Sequence, residues 1–303
     1  MIRLVPLLCL LGGLGVAPPV TAAPGQPKGL GPARSTAQEL TRALEPLRVA
    51  VVVGVSAYDS PALVDLVYAG ADARALAESL RAKAVGGFDR VDLLVEPAET
   101  TRAQVLSRLR VAAEDLGRED VLVVYFSGHG TLAQEGEAVR RYLLPSDASP
   151  GDLRGTGLDL DELRAWFGRL APQRKALIVD ACFNGRGKSV LDPSLLPKVE
   201  DLLADTQGPA LQDLGSGEAH LFATTSGRAA FEDETLGHGV YTHFLLQAMS
   251  WARSAADLDG DGLITAYEAH DYARGRTMEH TGGAQVPEAA MRVVGLNDVI
   301  LVG

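Results

Sequence analysis

Cysteine is nearly absent from this chain: only Cys9 and Cys182 occur among 303 residues. Cys9 falls in an N-terminal segment that reads as removable. The mature chain would then carry one thiol, which excludes an internal disulfide framework. Positive charge is also scarce, with 28 Lys and Arg against 39 Asp and Glu and a formal net charge of -11. That balance argues against nucleic acid or an anionic membrane as a partner, since both need basic patches. It favours cationic ligands, such as metal ions or peptides bearing Arg or Lys. Long apolar runs are missing as well. The nearest, Leu4 to Val16, is short and broken by Gly and Pro, so it makes a poor membrane span. Finally, no G-x-x-x-x-G-K or G-x-G-x-x-G loop follows the first strand-like run, which removes the main argument for a nucleotide binder.

What the start of the chain does contain is a targeting pattern. Arg3 precedes the apolar run, and Val20-Thr21-Ala22 supplies small residues for cleavage after Ala22. Leu7 and Leu8 precede Cys9, where a lipoprotein signal would need small residues. The expectation is a signal peptide over 1–22, export to a periplasmic or secreted location, and no stable membrane insertion after cleavage. Residues 23–47 read as a Pro- and Gly-rich tether and lead-in. Residues 48–303 then form one globular domain, with ordinary composition for the whole chain (47% hydrophobic, 22% charged).

Six apolar runs suit strands: Val49–Val55, Val91–Val95, Val121–Phe126, Ala176–Val179, His220–Thr224 and Val299–Val302. Several are Val-rich without alternation, as expected of strands buried on both faces. Helical faces lie between them: Ala73, Leu76, Ala77, Leu80; Val105, Leu109, Ala112, Leu116; Leu160, Leu163, Phe167, Leu170; and Tyr241, Phe244, Leu245, Ala248. Alternating strands and helices predict an α/β doubly wound, mostly parallel sheet with helices on both faces, and chemistry beyond the carboxyl ends of its strands.

Two of those ends carry reactive side chains. The third run leads into Ser127-Gly128-His129-Gly130, and the fourth into Asp180-Ala181-Cys182-Phe183-Asn184-Gly185. A solitary cysteine after a strand is more often a small buried apolar residue. A solitary histidine in a glycine loop is more often a surface residue. Their placement at corresponding ends of strands expected to be neighbours singles them out: His129 can take the proton of Cys182 and so generate a nucleophile. The surrounding glycines let a substrate backbone approach. They also leave the N–H groups of Gly130 and Cys182 as candidate oxyanion donors.

These two segments resemble the His and Cys motifs of caspases, metacaspases and their bacterial relatives. Ala69-Gly70-Ala71-Asp72-Ala73 is similar to the family's first helix, and Gly237-His238-Gly239-Val240-Tyr241-Thr242 to its late Gly-rich helix entry. The resemblance covers roughly Arg48 to the C-terminus. It implies a caspase-like six-stranded sheet and a cysteine endopeptidase with a His129–Cys182 dyad, needing no cofactor for the chemistry itself. Its substrate would be a peptide or protein, and the chain is expected to act as a monomer. One departure is Phe183-Asn184-Gly185, where bacterial members and metacaspases usually carry His-Ser-Gly. The Arg and Gln that caspases use to read Asp are missing. By resemblance to metacaspases, Asp72 and Asp180 would instead line an acidic S1 pocket for Arg or Lys at P1. Glu232 and Asp233 would border the cleft and help choose P2 or P1. The Pro-rich segment 186–218 reads as a linker or insertion in which Arg186, Lys188 or Lys198 could be cut by the enzyme itself.

A second motif stands apart from the dyad. Residues 257–268 read D-L-D-G-D-G-L-I-T-A-Y-E, an EF-hand-like calcium loop. Asp257, Asp259 and Asp261 would coordinate through their carboxylates, Leu263 through its carbonyl, Thr265 at position nine, and Glu268 in bidentate fashion. Clustered carboxylates repel one another unless a cation screens them. The expectation is Ca²⁺ that stabilises or activates the domain. The competing reading is a catalytically inactive caspase homologue serving as a calcium-binding interaction module.

Overall fold

The computed structural model describes residues 45–136, 138–183, 217–225, 228–292 and 298–303. The segments expected as signal peptide and most of the tether lie outside them, as do Asn184, Gly185, Arg186, Lys188 and Lys198. The strands are β1 (Arg48–Gly54), β2 (Arg90–Leu94), β3 (Val121–Ser127), β4 (Gly130–Glu135), β5 (Ala138–Leu143), β6 (Leu158–Asp159), β7 (Arg174–Asp180), β8 (Glu218–Phe222), β9 (Glu232–Asp233), β10 (His238–Gly239), β11 (Ile264–Thr265), β12 (Glu288–Arg292) and β13 (Ile300–Val302). The helices are α1 (Ala69–Arg81), α2 (Arg102–Glu114), α3 (Leu153–Thr156), α4 (Leu160–Gly168), α5 (Val240–Ala248), α6 (Arg253–Ala256) and α7 (Ala266–His280).

Six strands form one sheet in the order β12-β8-β7-β3-β1-β2. All pair in parallel except β12, which runs antiparallel to β8. Alternation along the strands sorts the core in two. Ala50, Val52, Val123, Tyr125, Ala176 and Ile178 meet α1, α5 and α7 on one face. Val49, Val51, Val53, Val124, Leu177 and Val179 meet α2 and α4 on the other. All four helical faces read from the sequence point inward, with Leu170 only partly buried.

One strand assignment needs correction. The run at Val299–Val302 is extended, but its strand, β13, pairs with β11 in a separate two-stranded ribbon. The sixth place in the sheet belongs to β12, Glu-Ala-Ala-Met-Arg, whose residues are only half-buried or exposed. An edge strand has one neighbour and partial cover, so it does not need the continuous apolar run that marks a central strand.

Local contacts fix where the strand ends lie. A Cβ on Gly54 would sit 2.4 Å from Ala69 O, so α1 packs directly on the end of β1. Helix α1 has no side-chain cap of its own. Instead Glu232 on β9 accepts from Val67 N (3.0 Å) and Tyr68 N (2.8 Å), placing a carboxylate at the positive end of the helix.

Candidate active site

Strands β3 and β7 are neighbours in register, with Ser127 beside Asp180. His129 and Cys182 therefore stand at equivalent positions, two residues beyond each end. The two loops touch: a Cβ on Gly130 would lie 2.6 Å from Cys182 O and 2.7 Å from the Phe183 ring. Gly128 is equally confined, since a Cβ there would meet the Phe126 ring at 2.9 Å and Tyr58 Oη at 3.2 Å.

His129 is held on several sides. Its backbone N–H donates to Tyr58 Oη at 2.8 Å, and its carbonyl accepts from Leu144 N at 2.9 Å. The Tyr58 ring lies against the imidazole, with centroids 5.0 Å apart and planes tilted by 33°. Burial pushes the Tyr58 phenol up, so it stays a neutral hydroxyl that also donates to Val55 O. The ring nitrogen Nε2 lies 2.7 Å from Val64 O. A carbonyl can only accept, so Nε2 carries the proton and Nδ1 is the basic nitrogen of the neutral ring. The Val64 carbonyl thus orients the imidazole, which sequence could not reveal because a backbone carbonyl carries no residue signature. Tyr58 was also missed; it lies on the loop after β1, far from either motif.

The glycines around both residues were expected to let a substrate backbone approach, but neither side chain is open to solvent. Cys182 is 0% exposed and His129 3%. The thiol belongs to the apolar cluster with Tyr125, Ile178, Ala223 and Val240, on the same sheet face as α5. Phe183 packs with the opposite cluster, its ring over Gly130.

The two acids assigned to S1 both lie near Tyr125. Asp72 and Asp180 are both fully buried, and both act on Tyr125, whose hydroxyl is raised first by burial and then by these two charges. Asp72 accepts from Gly239 N (3.1 Å to each oxygen) and pairs with His238 Nδ1 at 2.8 Å. Asp180 Oδ2 accepts from Thr242 Oγ1 at 2.7 Å. Since that hydroxyl spends its proton there, Tyr125 Oη donates to Thr242 Oγ1 across their 2.7 Å contact. Glu232 caps α1, as described above. Asp233 bonds Thr235 and His280 Nε2, and these contacts hold its carboxyl down at about 2.

The 257–268 segment forms a tight loop between α6 and α7. Oxygens of Asp257, Asp259 and Asp261 lie within 4.8 Å of one another. Asp257 accepts from Gly260 N and Gly262 N, and both glycines have positive φ (77° and 81°), where a side chain would be strained. Glu268 is buried and serves as the capping-box partner of Thr265, while also accepting from Leu258 N at 2.8 Å. Leu263 N donates to Asp261 Oδ1, and Ile264–Thr265 pairs with β13. Helix α7 packs on α5, and Tyr241 Oη meets His270 Nδ1 at 2.9 Å between them.

Comparison with known proteins matches residues 47–292 of the chain to the caspase domain. No curated protein matches significantly. Among solved structures, protein GSU0716 from Geobacter sulfurreducens superposes with a TM-score of 0.58 at 20% identity, covering 82% of this chain and 95% of that one. At such low identity the likeness speaks for the fold alone. The caspase-domain match spans most of the chain and takes in both strand tips that carry His129 and Cys182, so the chain belongs to the caspase family of cysteine peptidases.

Proposed function

We propose that this protein is a cysteine endopeptidase in which Cys182 attacks and His129 transfers the proton. His129 Nδ1 takes the thiol proton, and the thiolate adds to the scissile carbonyl. The oxyanion is received by the N–H groups of Cys182 and Gly130. The imidazolium then protonates the leaving amine, and a water hydrolyses the resulting thioester by the reverse transfer. The observation that carries the reading is the Nε2 contact to Val64 O at 2.7 Å: it fixes the tautomer a base needs and steadies the imidazolium once formed.

Asp72 and Asp180 supply the reason to expect Arg or Lys at P1. Two buried carboxylates near one phenol favour a cation that reaches them. The acidic loop at 257–261 is read as a Ca²⁺ site that pins the α6–α7 hairpin. Helix α7 packs on α5, whose N-terminal turn holds Thr242 against Asp180. Calcium would thus steady the acidic pocket without touching it. Export follows from the N-terminal signal pattern. Among the described residues, no helix is long and apolar enough to cross a membrane.

The buried thiol favours a second reading, in which the domain binds partners without cleaving them. A library of quenched peptides, assayed with and without calcium against a Cys182→Ala control, separates the two. Cleavage after Arg or Lys that vanishes in the control supports the peptidase. Faster cleavage after Asp would overturn the acidic pocket. A Cys182 that resists alkylation under all assay conditions would favour the binding module.

A further inference from the structure

The loop between β1 and α1 carries two outward-facing valines, Val64 at 76% and Val67 at 71% exposure. Scattered exposed apolar residues need no explanation. These differ because the backbone around them is fastened at several points. Tyr58 N donates to Asp65 Oδ1, Leu63 N to Ser60 O and Leu66 N to Ser56 O, and Val67 N and Tyr68 N both donate to Glu232. Val64 itself is tied to His129 through its carbonyl. Leu63, its neighbour, is buried at 5% in a small cluster with Tyr142 and Leu144. The Asp65 carboxylate is turned back toward the Tyr58 amide. The result is a rigid apolar knob, with its polar neighbours engaged elsewhere, standing beside the base.

Its position relative to the reaction follows from the proton route. Val64 O holds one nitrogen of the imidazole. The other nitrogen must deliver its proton to the leaving amine, which is the amide nitrogen of the residue after the scissile bond. One ring thus separates Val64 from that residue. We infer that Val64 forms part of an apolar subsite for the P1′ side chain, so that this peptidase prefers a leucine-like residue over glycine or aspartate there. Because the backbone is already fixed, contact orders only the substrate side chain, and burial of apolar surface is retained as affinity. This inference rests on the peptidase reading above.

Quenched peptides with a fixed P1 Arg and Gly, Leu or Asp at P1′ test it on the full chain in millimolar calcium. The expected result is kcat/KM for Leu about 5–10-fold above Gly, as suits one open apolar contact. Val64→Ser should bring that ratio within about twofold of unity, the ratio being taken within each variant so that any change in rate common to both peptides cancels. Val67→Ser, equally exposed but tied to Glu232, should preserve the ratio. No P1′ preference in the wild type, a ratio untouched by Val64→Ser, or an equal loss in Val67→Ser would overturn the subsite while leaving the peptidase standing. Absence of any Cys182-dependent cleavage would refute the peptidase reading and the subsite with it.

Discussion

Replacing Tyr58 with phenylalanine isolates one oxygen atom beneath the proposed base. That oxygen accepts the His129 backbone N–H at 2.8 Å and donates to Val55 O at 3.3 Å. The phenylalanine ring would keep the contact with the imidazole, now 5.0 Å between centroids. What is lost is the acceptor for an N–H on a residue only 3% exposed. Leaving such a donor unsatisfied costs about 1–3 kcal/mol. For a domain of this size, that lowers Tm by about 2–12 °C. Chemical and thermal denaturation of Tyr58→Phe beside wild type measures it directly, with no need for activity. If His129 is the base, kcat should also fall by about tenfold, because the residue can relax toward a new acceptor and tilt Nδ1 away from the thiol. A variant within about 0.3 kcal/mol of wild type would refute the argument that Tyr58 holds His129 in place.

Gly130→Ala should destabilise by about 1–3 kcal/mol and abolish activity, since its Cβ would press on Cys182 O and the Phe183 ring; a stable, active variant would show that the two loops can part freely. His270 is held down to about 4, first by burial and then by Arg274. Its unfolded value lies near 6.5, so the unfolded chain binds the extra proton first as pH drops. Stability from this group is fully present above about pH 6.5 and is lost toward pH 4, by about 3 kcal/mol at most. Urea titrations at pH 7 and 4.5 should show a smaller difference for His270→Gln than for wild type; equal differences would remove His270 as the cause. Calcium at about 100 times its Kd should add ~2.7 kcal/mol of stability. Chelator should reverse the Tm gain, and Asp257→Ala with Asp261→Ala should abolish it; identical melting with calcium and chelator would rule out the site.

The central strands were legible because each is buried on both faces and must be apolar at successive positions, as Val121–Phe126 is. β12 was not, because an edge strand at half-burial tolerates Glu, Met and Arg. The small β4–β5–β6 sheet was likewise unread: its strands mix Arg140, Arg141 and Gln134 with apolar residues, and its pairing is set by neighbours distant in sequence. His129 and Cys182 could be picked out as chemistry-bearing residues at strand ends. Val64 O could not, since every residue has a carbonyl and only folding decides which one meets a ring nitrogen.

Sequence alone determined the layered α/β plan, the two strand tips and the acidic character of Asp72 and Asp180, because hydrophobic period and residue chemistry are local properties. Tertiary structure decided which strand closes the sheet, that the thiol lies buried among Tyr125, Ile178 and Val240, and which nitrogen of His129 keeps the proton. Those outcomes depend on contacts between residues tens to hundreds of positions apart. Burial and hydrogen-bond pairing are properties of the packed whole, and no short window of the chain contains them.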